Sequence, residues 1–81
     1  MNFAAELAKL LADVTGQPEL AGLPADAPLF GGAAGLDSLS GARLLRQVHD
    51  RYGVDVAAED LNLDAMATIG TLATFIAKRV S

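Results

Sequence analysis

Apolar residues recur at helical spacing in three stretches of the chain, and the segments between them lose that period. Residues 3–15 set Phe3, Leu7, Leu10, Leu11 and Val14 on one side of a helix, with Glu6, Lys9 and Asp13 between them. Asn2 stands where an N-cap is needed and Gly16 where a helix stops. A second helix begins after Asp37, whose carboxylate is suited to accept from backbone N–H groups of the first turn. Gly41, Leu44, Leu45, Val48 and Tyr52 form its apolar face, Arg43, Arg46, Gln47 and Asp50 lie outside that face, and Gly53 closes it. The third begins at Thr68. Ile69, Leu72, Ala73, Ile76 and Val80 make its stripe, and Lys78 and Arg79 complement the dipole in its last turn.

The intervening segments are of another kind. Residues 16–36 hold Pro18, Pro24 and Pro28 together with Gly16, Gly22, Gly31, Gly32 and Gly35. Proline removes a backbone donor and glycine adds to the entropy lost on ordering, so this reads as a long loop with at most a short helical turn. Leu20, Leu23, Leu29 and Phe30 are expected to pin it to the core. Val54 and Val56 lead into an acidic stretch, Ala58 to Asn62, with room for a turn or two of minor helix, and Leu63, Ala65 and Met66 are expected to pack before the last helix. No strand pattern and no internal repeat is present. The expected fold is all-α: a small bundle of three principal helices plus a short third helix, with a long loop between the first and second helices, in a single domain over residues 1–81.

At 81 residues a chain buries only about 60–65 % of the surface its unfolded form exposes. Such a core holds a fold together without also enclosing a large catalytic cavity, which favours a binding or carrier module over a self-contained enzyme. Cysteine is absent, so disulfides and thiolate metal sites are excluded. The formal net charge is −4, unevenly spread: residues 37–52 sum to +1 and residues 53–64 to −4. An acidic chain without a basic stripe is a poor partner for a phosphate backbone, and no nucleic acid is expected. No apolar run approaches the roughly 20 residues of a membrane span. The start, Met-Asn-Phe-Ala-Ala-Glu, has no basic leader region. A cytoplasmic monomer, with no membrane partner, is the expectation.

Candidate chemistry concentrates at Gly35-Leu36-Asp37-Ser38-Leu39. A long glycine-bearing loop delivers a serine to the first position of a helix, where its side chain stands at the rim of the bundle. The N–H groups and dipole of the first turn favour an anion nearby, although the Asp37 carboxylate works against it. The simplest alternative is a serine placed there for local hydrogen bonding. Nucleophilic catalysis is a weaker reading, because the only histidine, His49, lies about three helical turns along the same helix, and an activating base must be within hydrogen-bond reach. Neither a G-x-S-x-G elbow nor a phosphate-cradling ending follows the glycines at 31–35. No catalytic residue and no metal ligand is assigned.

Gly35-Leu36-Asp37-Ser38-Leu39 resembles the attachment motif of the acyl carrier and peptidyl carrier protein superfamily. The resemblance covers nearly the whole chain: helix, long loop, Asp-Ser-Leu, second helix, Gly53-Val54-Asp55-Val56, minor helix and the helix begun by Thr68 come in the family's order. It implies that a phosphopantetheinyl transferase, using magnesium and coenzyme A, attaches a 4'-phosphopantetheine arm to Ser38, with Asp37 as N-cap and transferase contact. The terminal thiol of the arm would then hold an acyl or aminoacyl group as a thioester. Carrier-dependent enzymes, such as an acyltransferase, a ketosynthase or an adenylating enzyme, would act on it.

The sequence departs from the fatty-acid type of carrier in the sign of its second helix, where Arg43, Arg46 and His49 occupy outer positions that are acidic in that type. Complementary potentials select partners and suppress wrong ones. Leu39, Ala42, Arg43 and Arg46 are therefore candidate docking residues, and a free-standing acyl carrier in polyketide or hybrid natural-product biosynthesis is the preferred reading. The run Ser38-Leu39-Ser40-Gly41-Ala42-Arg43-Leu44 resembles peptidyl carriers of nonribosomal peptide systems about as well. An interaction domain that carries nothing is the alternative from another class.

Overall fold

The computed structural model of the protein describes residues 2–30, 35–59 and 64–80. Helix α1 spans Phe3–Thr15, with the Asn2 side chain accepting from the Ala5 N–H and Gly16 ending it at φ 69°. Positive φ is the conformation that glycine adopts without penalty, so the chain turns there. A 3₁₀ turn at Pro18–Gly22 follows and packs against α1 through the buried Leu20.

The rest of the long segment is tied down chiefly by main-chain bonds. Leu29 N–H donates to the Ala67 carbonyl at 3.2 Å, Ile69 N–H to Ala27 at 3.3 Å and Gly70 N–H to Ala25 at 2.7 Å. These bonds zip residues 25–29 against the start of the last helix. Gly70 permits the approach, since a Cβ there would stand 3.0 Å from the Ala25 carbonyl oxygen. Leu36 N–H then donates to the Leu29 carbonyl at 3.1 Å, and the buried Ala27, Leu29 and Leu36 side chains anchor the segment in the core.

Helix α2 spans Ser38–Tyr52 and buries Gly41, Leu44 and Val48, with Leu45 and Tyr52 half-buried. Gly53 ends it at φ 71°. Val54 and Val56 are buried on either side of Asp55, whose side chain accepts from the Ala58 N–H at 3.1 Å and starts the short α3, Val56–Glu59. A 3₁₀ turn at Asp64–Met66 buries Ala65 and Met66. Helix α4, Ile69–Val80, is capped reciprocally: Thr71 N–H donates to Thr68 Oγ1 at 3.1 Å and Thr68 N–H to Thr71 Oγ1 at 2.9 Å. Ile69, Leu72 and Ile76 meet Leu7 and Leu11 of α1 and Leu44 and Val48 of α2 in one core. The fold is all-α, as the periodicity predicts.

Some expectations need correction or restriction. Phe30 does not pin the loop in the core; the residue is 46 % exposed and its ring rests instead on Gly41 of α2. Val80, assigned to the core stripe of the last helix, is 44 % exposed at the last residue of that helix, beside Phe3, Arg51 and Tyr52. The minor helix begins at Val56, two residues before the acidic stretch, since Asp55 supplies the cap; its expected continuation to Asn62, and Leu63, lie outside the described residues. So do the glycines and alanines at 31–34.

Candidate functional site

The site is built at the start of α2. Asp37 is in extended conformation and its side chain accepts from the Ser40 N–H at 2.7 Å, while its carbonyl accepts from the Gly41 N–H at 2.8 Å. The Ser40 N–H and hydroxyl hold the Asp37 carboxyl below the usual 3.8, so it is ionised at neutral pH. The predicted N-cap is in place. Its presence changes the standing of the neighbouring serine, because the local hydrogen bond that a serine near a helix start would make is already supplied by Asp37.

Ser38 is the first residue of α2, is exposed, and its hydroxyl makes no hydrogen bond among the described residues. It is held at a defined height by the bonded segment behind it and by the buried Leu36 two residues earlier. Helix α2 runs unbroken from Ser38 to Tyr52, which sets His49 about 16 Å along the axis at the rise of an α-helix. Geometry therefore keeps His49 out of hydrogen-bond reach of Ser38.

Leu39, Ala42, Arg43 and Arg46 are all exposed and fall at positions i, i+3, i+4 and i+7, so α2 does bring the four together on one face, away from the core. Leu39 is 62 % exposed. Arg43 forms no ion pair among the described residues, whereas Arg46 lies 3.4 Å from Asp50 in an exposed pairing along the helix. Below this face, Ala42, Leu45 and Arg46 form one wall of a shallow open groove that Asp55 and Ala57 close on the α3 side.

The family model described as phosphopantetheine attachment site matches residues 5–76 of the chain. The chain belongs to that family. Proteins of the phosphopantetheine attachment family bind 4'-phosphopantetheine covalently, are themselves non-catalytic carriers, and work with a phosphopantetheinyl transferase and with carrier-dependent enzymes. No curated protein and no solved structure matches the chain. The residues at the head of α2 fit such a group: an exposed hydroxyl with no hydrogen bond among the described residues is available to carry it. Among the described residues no helix is long and apolar enough to cross a membrane.

Sequence reading missed two features of this carrier's site. The burial of Leu36 at 6 % exposure is one; no local periodicity marks a residue two positions before a helix. The other is the pairing of Phe30 with Gly41. A glycine inside an otherwise regular helix costs about 1 kcal/mol relative to alanine, and that unfavourable choice was the available signal.

Proposed function

We propose that Ser38 is the residue that carries the phosphopantetheine arm, and that the protein is an acyl carrier of polyketide or hybrid natural-product biosynthesis. One observation carries the assignment: the Ser38 hydroxyl is exposed and makes no hydrogen bond among the described residues, at the head of a helix whose cap is provided by its neighbour. In the loading step, the Ser38 oxygen attacks the pantetheine-bearing phosphorus of coenzyme A. The new O–P bond replaces the phosphoanhydride bond, adenosine bisphosphate departs with the electron pair, and the hydroxyl proton passes to a base of the transferase. Once attached, the arm supplies a thiol that holds the acyl cargo as a thioester. Asp37 keeps the first turn closed, and the tether raises the concentration of cargo at each partner.

The basic α2 face supports a natural-product role over a fatty-acid one. Leu39, Ala42, Arg43 and Arg46 offer an apolar contact flanked by guanidinium groups, which matches partners that present carboxylates. The same face supports a second reading, a peptidyl carrier loaded by an adenylating enzyme. Loading assays with acyltransferases and adenylating enzymes, each with coenzyme A-derived holo-protein, separate the two cargos.

The assignment of Ser38 itself is tested by mass. Incubation with coenzyme A, magnesium and a broad-specificity phosphopantetheinyl transferase should add one arm to the wild-type chain and none to Ser38→Ala. No gain in the wild type, or a gain that persists in Ser38→Ala, defeats it.

A further inference from the structure

Three large apolar side chains are exposed among the described residues: Phe30, Leu39 and Val80. Leu39 belongs to the α2 face already discussed, and Val80 lies beside Phe3, Arg51 and Tyr52 at the opposite end of α2. Phe30 is different. It lies in the loop, yet its ring is seated on α2, where a Cβ at Gly41 would stand 3.1 Å from both Cε1 and Cζ. A Cβ there would make the ring give by a few tenths of an ångström, so the glycine lets it lie closest to the helix.

The position of that seat relative to Ser38 follows from helix geometry. Residues three apart are neighbours on a helix surface, so Gly41 adjoins Ser38. At 3.6 residues per turn, Gly41 is rotated about 60° from Ser38 in one sense and Leu39 about 100° in the other. Ser38 thus stands between two exposed apolar groups, one supplied by the loop and one by the helix. Phe30 is 46 % exposed.

We propose that the Phe30 ring, seated on Gly41, is a contact surface for the phosphopantetheinyl transferase, lying outside the basic α2 face. The inference rests on the reading of Ser38 as the attachment residue. Transfer brings the enzyme's reacting phosphorus to bonding distance of the Ser38 oxygen, so the surface around that oxygen is covered in the loading complex. A standard interface covers about 800 Å² on each partner, a disc of about 16 Å radius. A ring seated one helical turn from Ser38 falls well inside it, near the centre where aromatic side chains contribute most. The partner surface that fits is an apolar patch at the mouth of the transferase's active site.

The test measures kcat and KM for the apo-protein with a broad-specificity transferase, mass being the readout and thermal melting the check on folding. Phe30→Ala should raise KM about ten-fold with kcat within about two-fold, the signature of lost uniform binding. Gly41→Ala favours the helix and keeps the ring but displaces it by a few tenths of an ångström, so it should raise KM by less than Phe30→Ala does, and not at all when added to Phe30→Ala. That non-additivity is what two residues acting through one contact require. Val80→Ala should change neither constant. Unchanged KM in both Phe30→Ala and Gly41→Ala overturns the inference, as does a loss confined to kcat, which would mean that the ring acts only by placing Ser38. A wild-type chain that takes up no arm defeats the assignment of Ser38 instead.

Discussion

The two leucines that bracket Asp37 and Ser38 face opposite ways, and truncating them should have opposite consequences. Leu36 is 6 % exposed and packs in the core, whereas Leu39 is 62 % exposed. Leu36→Ala removes about three buried carbons, worth about 2.4 kcal/mol by transfer at about 0.8 kcal/mol each, and leaves a partly unfilled cavity. The expected loss is about 2.5–4 kcal/mol, within the range measured for buried leucines. For a domain of 81 residues each kcal/mol lowers the melting temperature by about 4–8 °C, so a fall of more than 10 °C is expected. Total stability of such a domain is about 4–12 kcal/mol, so the variant keeps a folded fraction large enough to measure. Leu39→Ala should stay within about 0.5 kcal/mol of wild type while weakening partner binding. Urea titration followed by far-UV circular dichroism, with the slope of the transition unchanged, decides the matter. Equal effects at the two positions, or a loss below about 1 kcal/mol at Leu36, would refute the claim that burial of Leu36 fixes the height of Ser38.

Other perturbations probe separate parts of the fold. Gly53 sits at φ 71° with nothing within 4 Å of an added Cβ, so Gly53→Ala should cost about 1–2 kcal/mol through backbone strain alone, whereas Gly22→Ala, equally unhindered but without positive φ, should not. The Asp37 carboxyl is held below its usual 3.8 by the Ser40 N–H, so its contribution to stability is complete above 3.8 and is lost as pH falls through the lower folded value; Asp37→Asn keeps a cap and should flatten the acid limb of a pH–stability curve. Burial, and then Glu6, raise the Tyr52 hydroxyl above its usual 10.0, and Tyr52 donates to Glu6 at 3.2 Å. Stability should therefore fall as pH rises from 10.0 toward the folded value, and Tyr52→Phe should remove that fall. Reversing charge with Arg43→Glu and Arg46→Glu should shift stability by no more than about 0.5 kcal/mol each, raise KM for partner enzymes and alter its salt dependence; salt-insensitive, unchanged kinetics would remove that face from the docking surface.

The helices were legible because their periodicity and their punctuation agree. Asn2, Gly16, Asp37, Gly53 and Thr68 all act at the helix ends where their chemistry suggests, and each effect is local to a few residues. The position of Ser38 at the start of α2 was legible for the same reason, next to a cap. What sequence did not reveal depends on partners distant in the chain. The bonds from Ala25, Ala27 and Leu29 to residues 67–70 use backbone atoms that every residue possesses, so no side-chain pattern announces them. Phe30 has the composition of a core residue, and only the glycine eleven positions later determines that its ring lies on the surface of a helix.

The main-chain ties between residues 25–29 and the beginning of α4 separate two requirements that one loop must meet. Its backbone sets where the serine stands, while the outward side chains of Pro24, Asp26 and Pro28 take almost no part in that task. Substitutions at those positions should leave the placement of the serine the same.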